Sequence, residues 1–125
     1  MLQSSPSLSH KYRVILPHSQ VIDFGKRTMR YYPDHGNPSL MRAHLIRKGA
    51  IVPDKVRLET DPSKIHMEML MIQESSLEDW DDKSISEYWE RWILWSYPSI
   101  REATLYMTLT QDVLFTNNPE KLIYL

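Results

Sequence analysis

The chain of 125 residues contains no cysteine, only three glycines, and no run that approaches the roughly 20 apolar residues of a membrane-spanning helix. The absence of cysteine excludes disulfides, thiolate metal sites and cysteine nucleophiles. With so little glycine, the sequence has neither a phosphate-cradling loop nor a Gly-x-Ser-x-Gly nucleophile motif. The first residues also lack the basic and apolar stretches of a secretion signal. We therefore expect a protein without a transmembrane segment, in a reducing compartment or in a particle assembled there.

The composition is typical of one globular domain, with 42% hydrophobic and 25% charged residues. The serine-rich residues 1–10 show no periodicity, which predicts a flexible arm. Residues 11–116 are predicted to form the single domain, with an acidic loop and strand insertion at 51–83. Residues 117–125 are predicted to be a C-terminal tail.

Two short runs rich in β-branched and aromatic residues predict an N-terminal β-hairpin. These runs are Tyr12–Leu16 and Val21–Gly25, and a connector containing Pro17 separates them. A helix is predicted from residue 39 to residue 48, because Asn37 is a good N-cap and Pro38 suits the first helical position. The side chains of Lys64 to Gln73 alternate at first between two faces, with Ile65, Met67 and Met69 on one of them, which predicts a strand. A short helix is the competing interpretation, because methionine favours helices.

Three of the four tryptophans recur every third residue between Ser84 and Pro98, which favours one face of a helix. Ser84 and Glu87 form a capping-box pattern at its start, and Pro98 ends it. A second helix, capped by Ser96, is predicted to run to about Leu109. Aromatic side chains bury a large area, so the predicted structural core is Trp89, Trp92, Trp95, Tyr88 and Phe24. The fold class is then α+β: a small single domain with a hairpin packed against about three helices, and extended termini.

Two charged residues lie inside this apolar stretch, Glu90 and Arg91. A buried charge needs a partner, so at least one of them is predicted to pair within the fold or across an interface. Glu87 lies four residues before Arg91, which makes it the predicted partner on the same helix face.

Charge is distributed unevenly along the chain, although the net charge is only −1. Residues 10–50 hold eight basic and two acidic residues, whereas residues 51–90 hold eleven acidic and four basic ones. The basic segment includes tyrosines that could stack on bases, so it is a candidate contact for nucleic acid or for an acidic partner. Its members are Lys26, Arg27, Arg30, Arg42, Arg47 and Lys48. A pI of about 6.5 is low for a dedicated nucleic-acid module.

No catalytic constellation is present in the sequence. Asp23-Phe24-Gly25 matches the metal-binding triplet of kinases in letters only, because the chain is too short and has no catalytic loop. Asp34, His35 and His44 could approach one another, but their spacing matches no standard zinc pattern. The acidic run from Glu78 to Asp82 lacks the ligand rhythm of an EF-hand. We therefore expect no enzymatic activity, no cofactor and no metal.

Three blocks carry a resemblance to a known family. They are Val21-Ile-Asp-Phe-Gly25 followed by Met29; Tyr32, His35 and Asn37-Pro38 with Arg42, Leu45, Arg47 and Gly49; and Tyr88-Trp-Glu-Arg-Trp-Ile-Leu-Trp-Ser96 with Pro98-Ser99-Ile100. Together they resemble small uncharacterised proteins encoded by nucleocytoplasmic large DNA viruses. Pro33 departs from the family, which usually has threonine there, and residues 51–83 are longer and more acidic. The resemblance implies viral origin and a place in the virion, and it implies no enzymatic activity.

The sequence thus predicts a non-enzymatic structural or adaptor protein of a large DNA virus, such as a minor capsid protein or another virion component. The predicted partners are other viral structural proteins, with the major capsid protein as one candidate. Its predicted locations are the virion and, during assembly, the host cytoplasm. The docking residues are expected in the two termini, namely Leu2, Leu8, Leu122, Ile123 and Leu125, and in the acidic segment 74–82. The alternative is a nucleic-acid-binding or packaging protein that uses the basic segment 26–48.

Overall fold

The computed structural model describes residues 1–116, which begin with a three-stranded antiparallel sheet. Its strands are β1 (Leu2–Ser4), β2 (His10–Ile15) and β3 (Val21–Lys26), in that order across the sheet. A short 3-10 turn (Pro17–Ser19) joins β2 to β3. The predicted hairpin and the α+β class are therefore confirmed, and the sheet has one strand more than expected.

The additional strand comes from the segment predicted to be a flexible arm, and that prediction was wrong for most of it. Leu2 pairs with Val14 across the sheet and is fully buried, so it is not available for docking. Arg27 also donates hydrogen bonds to the carbonyls of Ser5 and Ser7. Burial of one leucine and the sheet hydrogen bonds hold this serine-rich segment. Leu8, at the connection to β2, is 96% exposed, whereas the predicted tail 117–125, with Leu122, Ile123 and Leu125, lies outside the described residues.

Six α-helical segments follow within the described residues, and a π-helix continues one of them. They are α1 (Tyr32–His35), α2 (Pro38–Arg47), α3 (Asp54–Arg57), α4 (Pro62–Leu70), α5 (Ser86–Trp89) with the π-helix (Glu90–Leu94), and α6 (Ile100–Gln111). The Asn37 side chain accepts a hydrogen bond from the Ser39 amide, as predicted for the N-cap of α2. Among residues 1–116, no helix is long and apolar enough to cross a membrane.

The strand predicted at Lys64 to Gln73 is wrong, because most of this segment lies in α4. The Asp61 side chain caps the helix by accepting from the Ser63 amide, and Pro62 occupies its first position. Ile65 and Met69, four residues apart, are both buried, and α4 packs against α2. The helical reading of this segment was the correct one, and the cap at Asp61 explains why.

The tryptophan segment forms the centre of the core, as predicted. The core residues Trp89, Trp92, Trp95, Tyr88 and Phe24 are all buried. Its start differs from the prediction: Ser84 donates to the side chain of Asp82 instead of capping, and the helix begins at Ser86. α6 is capped by Ser99, whose hydroxyl accepts from the Glu102 amide, and not by Ser96. The Ser96 hydroxyl donates to the carbonyl of Trp92.

Candidate functional site

A cleft of about 420 Å³ opens where the end of β3, the end of α2 and the start of the tryptophan segment meet. We call it the mixed-charge cleft, because side chains of both signs line it. It is lined by Lys26, Met29, Tyr31, His44, Arg47, Lys48, Glu78, Ser86, Glu87 and Glu90. Ligand sites in proteins are typically concavities of this size with a few convergent polar groups. This cleft is therefore the candidate binding site.

Gly25 positions the innermost carboxylate of the cleft. Its backbone N–H donates to Oε1 of Glu90 at 3.3 Å. Gly25 has a φ of +74°, a conformation that side chains rarely adopt, and a Cβ here would lie only 3.0 Å from Cδ1 of Leu94. The Asp-Phe-Gly sequence thus lets β3 approach the π-helix closely enough to hold Glu90.

The charges of the cleft are not paired with one another. In the described part of the chain, no ion pair joins any of its three basic side chains to any of its three glutamates. The basic ones are Lys26, Arg47 and Lys48, and the acidic ones are Glu78, Glu87 and Glu90. The cleft therefore presents cations and carboxylates in equal number to whatever enters it.

The Glu90 carboxyl group of the cleft has a perturbed pKa. Burial raises its pKa above the ordinary value, and the neighbouring Glu78 and Glu87 act in the same direction. The hydrogen bond from Gly25 and the charge of Lys48 oppose this effect. A positive group brought into the cleft would favour the ionised form of Glu90.

Aromatic rings form the apolar part of the cleft. His44 stacks on Trp95 with ring centroids 4.1 Å apart and an interplanar angle of 13°. Tyr31 packs edge-on against the same indole, and its hydroxyl accepts from the Lys26 amide at 2.8 Å. These contacts hold both buried rings in place at the lining of the cleft.

We expect the stability of the protein to fall as pH drops from 6.5 to 4. Burial, and to a lesser extent the charges of Lys48 and Arg47, lower the pKa of His44 to about 4. At a pH between the two pKa values, His44 binds a proton in the unfolded chain but not in the folded one. Its contribution to stability is therefore fully present above the pKa of the unfolded chain and is lost as the pH falls towards the pKa of the folded one. The change amounts to at most about 3 kcal/mol.

Urea unfolding across this pH range measures the effect. His44→Phe keeps a ring on Trp95 and should remove much of the dependence of the unfolding free energy on pH. The remaining slope comes from other groups such as His35 and His66. His18→Asn, at an exposed histidine, is the matched control and should leave the slope intact. An equally steep slope in His44→Phe would show that His44 is not its source.

The acidic segment 74–82, which we call the acidic loop, lies beside the cleft and is anchored to the end of α2. The Ser75 hydroxyl donates to the Lys48 carbonyl at 2.6 Å, and the Ser76 amide donates to the Gly49 carbonyl at 2.9 Å. Gly49 has a φ of +87°, and a Cβ there would lie 2.8 Å from Cγ of Leu77. These hydrogen bonds and the close packing on Gly49 hold the backbone of the loop in a fixed position on the surface.

The six predicted basic contacts do not form one continuous surface. Arg27 binds carbonyls of the connection between β1 and β2, as described above. Arg30 donates to the Asp34 carbonyl, and Arg42 donates to the carbonyls of Val56 and Glu59. The other three, Lys26, Arg47 and Lys48, converge on the cleft. The structure thus brings three of the six predicted basic residues together, and it places carboxylates beside them.

The three side chains considered as zinc ligands, Asp34, His35 and His44, make other contacts. Asp34 accepts from Lys11 and from the Tyr31 amide, and Nδ1 of His35 accepts from the Asn37 amide. His44 is stacked in the cleft. Across the residues that the structure describes, no group of three or more His, Cys, Asp or Glu side chains is placed to hold a metal ion.

The contributions of Glu90, Tyr31 and His44 to a cleft were not predicted from the sequence. Glu90 carried one usable signal, because a carboxylate within an apolar stretch must find a polar partner. The other two look like ordinary loop and helix residues, and only the tertiary arrangement places them with Glu90.

Comparison with known protein families gives a match to the first part of the chain. Residues 1–48 are similar to a family described as a family of unknown function (DUF5754). This part of the chain contains the sheet, α1 and α2, including the basic side of the cleft, and ends before the acidic loop and the tryptophan segment. No curated protein and no solved structure matches the chain.

Proposed function

We propose that this protein is a non-enzymatic adaptor in the particle of a large DNA virus, as a minor capsid protein or another virion component. Its acidic loop docks on a basic, partly apolar segment of a neighbouring structural protein. The anchored acidic loop is the observation that carries the docking proposal, and the sequence resemblance supports the viral setting. The proposed locations are the virion and, during assembly, the host cytoplasm.

The acidic loop combines a fixed backbone with exposed apolar and acidic side chains. Leu77 is 72% exposed, and Asp79 and Asp81 beside it are also exposed. Trp80 is buried, and its carbonyl accepts from the Trp92 indole N–H at 2.8 Å, which ties the loop to the core. A prearranged loop loses little conformational entropy on binding, which favours affinity.

A concavity of about 350 Å³ lies along the acidic loop. Ile51, which is 56% exposed, lines it together with Leu77 and several acidic residues. An apolar centre with a charged rim is typical of protein interfaces. The negative rim would attract a basic partner, and the attraction would weaken as salt screens it.

The nucleic-acid alternative has weaker support from the geometry. Three of the predicted basic side chains donate to backbone carbonyls, and the other three share a cleft with glutamates. Nucleic-acid binding depends on a surface of one sign that neutralises several phosphates. A protein partner for the acidic loop is therefore the better proposal.

The adaptor proposal predicts that the protein is present in purified particles and that its retention depends on the acidic loop. Mass spectrometry across a density gradient should find it at a constant ratio to the major capsid protein. Leu77→Ser combined with Asp79→Asn should lower its copy number in particles about 10-fold or more, as expected for an interface hot spot. Washing at high salt should release the wild-type protein progressively.

Leu105→Ser combined with Glu102→Gln is the matched control, because it changes one exposed leucine and one exposed acid on α6. Its retention should equal that of the wild type. Absence of the protein from purified particles would contradict the virion role. Equal retention of both double variants would contradict docking through the acidic loop, whereas tight and steeply salt-dependent DNA binding would favour the packaging alternative.

A further inference from the structure

We propose that the mixed-charge cleft binds a small zwitterion of the amino-acid class. The ligand's carboxylate lies against Lys26, Arg47 and Lys48, and its ammonium group lies against Glu87 and Glu90. This proposal concerns a second site with its own ligand, and it does not depend on the adaptor role.

The balance of charge in the cleft selects this ligand class. Among the described residues, three cations and three carboxylates line it, so a purely anionic or a purely cationic ligand meets repulsion from half of these charged groups. A divalent metal would lack ligands, since the described residues hold no cluster suited to one. A molecule that carries both charges can satisfy both halves at once.

The carboxylate side of the cleft is prearranged for a positive group. Glu90 is partly buried and accepts from the Gly25 amide at 3.3 Å. Glu87 is the second residue of α5, and within residues 1–116 its side chain accepts no hydrogen bond. Burial makes the ionised form of Glu90 unfavourable while the cleft is without a cation. An ammonium group beside it would remove that penalty, which gives the ligand a specific interaction energy.

The basic side chains of the cleft have no direct partner in the described part of the chain, which leaves them available to a ligand. Within residues 1–116, the side chains of Lys26, Arg47 and Lys48 make no hydrogen bond or ion pair. Tyr31 and His44 also line the cleft. A volume of about 420 Å³ suits a small molecule better than a folded partner.

The test is a titration of the full chain followed by amide proton–nitrogen correlation spectra. The probes are glycine, β-alanine, γ-aminobutyrate, aminopentanoate and aminohexanoate, which separate the two charges by one more methylene at each step. The chain has only three glycines, so their amide signals are few. Gly25 reports on Glu90, Gly49 follows Lys48, and Gly36 lies outside the lining of the cleft and serves as an internal control.

We expect one chain length to shift the Gly25 and Gly49 signals saturably and to bind about 10-fold or more tightly than pentanoate, pentylamine or inorganic phosphate. Glu90→Gln keeps the shape and the acceptor for Gly25, and Lys48→Met keeps an exposed chain of similar length. Each should lose about 10-fold in affinity. Lys55→Met, at an exposed lysine outside the cleft, should bind like the wild type.

Three results would overturn the proposal. The first is the absence of a shift at Gly25 and Gly49 with every amino acid of the series. The second is equal or tighter binding of pentanoate, pentylamine or phosphate, which would make the cleft a site for one charge only. The third is unchanged affinity in Glu90→Gln and Lys48→Met, with the same spectra showing that both variants are folded.

Discussion

Replacement of Arg91 by alanine is expected to lower the free energy of unfolding by about 4 kcal/mol or more, at the high end of single substitutions. The Arg91 side chain is only 2% exposed, and its guanidinium donates to the carbonyls of Trp95, Met69 and Ile72 at 2.7–2.9 Å. Its removal takes a donor from all three carbonyls, of which, among the described residues, only that of Met69 still accepts from the Ile72 amide. Each acceptor left unpaired costs about 1–3 kcal/mol. Domains of ordinary size have a total stability of about 5–15 kcal/mol, so the variant should be marginally folded.

The Arg91 guanidinium also packs against two indoles, 4.2 Å from the ring centroid of Trp92 and 5.1 Å from that of Trp80. Alanine removes these cation–π contacts and leaves a cavity, which adds to the loss. Urea unfolding followed by tryptophan fluorescence measures the total. Arg91→Lys should retain part of the stability, because its ammonium keeps the charge but cannot reach three carbonyls in the same geometry.

The predicted pairing of Arg91 with Glu87 supplies the control for this experiment. In the described residues Arg91 has no carboxylate partner, and it uses backbone carbonyls instead. Glu87→Ala should change stability by no more than about 0.5 kcal/mol, and a double-mutant cycle over the two residues should show no coupling. Substantial coupling in this cycle would indicate an ion pair between Glu87 and Arg91, and it would contradict the role assigned to the carbonyls.

Parts of the fold with a strong local signal were predicted correctly from the sequence. The hairpin carried β-branched runs around Pro17, and α2 carried its own cap at Asn37. The misreadings came where local signals competed. Serines in residues 1–10 suggested a flexible arm, but burial of Leu2 and sheet pairing outweighed composition. The alternation near Ile65 suggested a strand, but the cap at Asp61 and the packing against α2 favoured a helix.

The candidate site was much less predictable than the fold. The basic segment was recognised, yet the sequence could not show that Arg42 donates to the carbonyls of Val56 and Glu59 while Lys48 lines the cleft. Nor could it show that Glu90 meets Gly25, 65 residues away in the chain. A cleft of this kind depends on contacts between distant segments, and such contacts leave no periodic pattern in the sequence.

Trp92→Ala is expected to lower the free energy of unfolding by about 3–5 kcal/mol, the usual cost of truncating a buried tryptophan. Trp92 is 2% exposed, and its indole N–H donates to the Trp80 carbonyl at 2.8 Å. This bond joins the acidic loop to the core, so its loss should also loosen the loop. Hydrogen exchange at Leu77 and its neighbours should therefore accelerate more in this variant than exchange in the sheet does.

Trp92→Phe separates the two contributions, because it keeps an aromatic ring in the core but removes the indole donor. Its cost should be smaller, about 1–3 kcal/mol for the carbonyl left without a donor together with the lost ring volume. Leu109→Ala, at an exposed position of α6, should change stability by no more than about 0.5 kcal/mol. If Trp92→Ala unfolds at the same urea concentration as this control, the tryptophan does not anchor the core. If the phenylalanine variant keeps wild-type exchange rates at Leu77, the hydrogen bond to Trp80 does not hold the acidic loop.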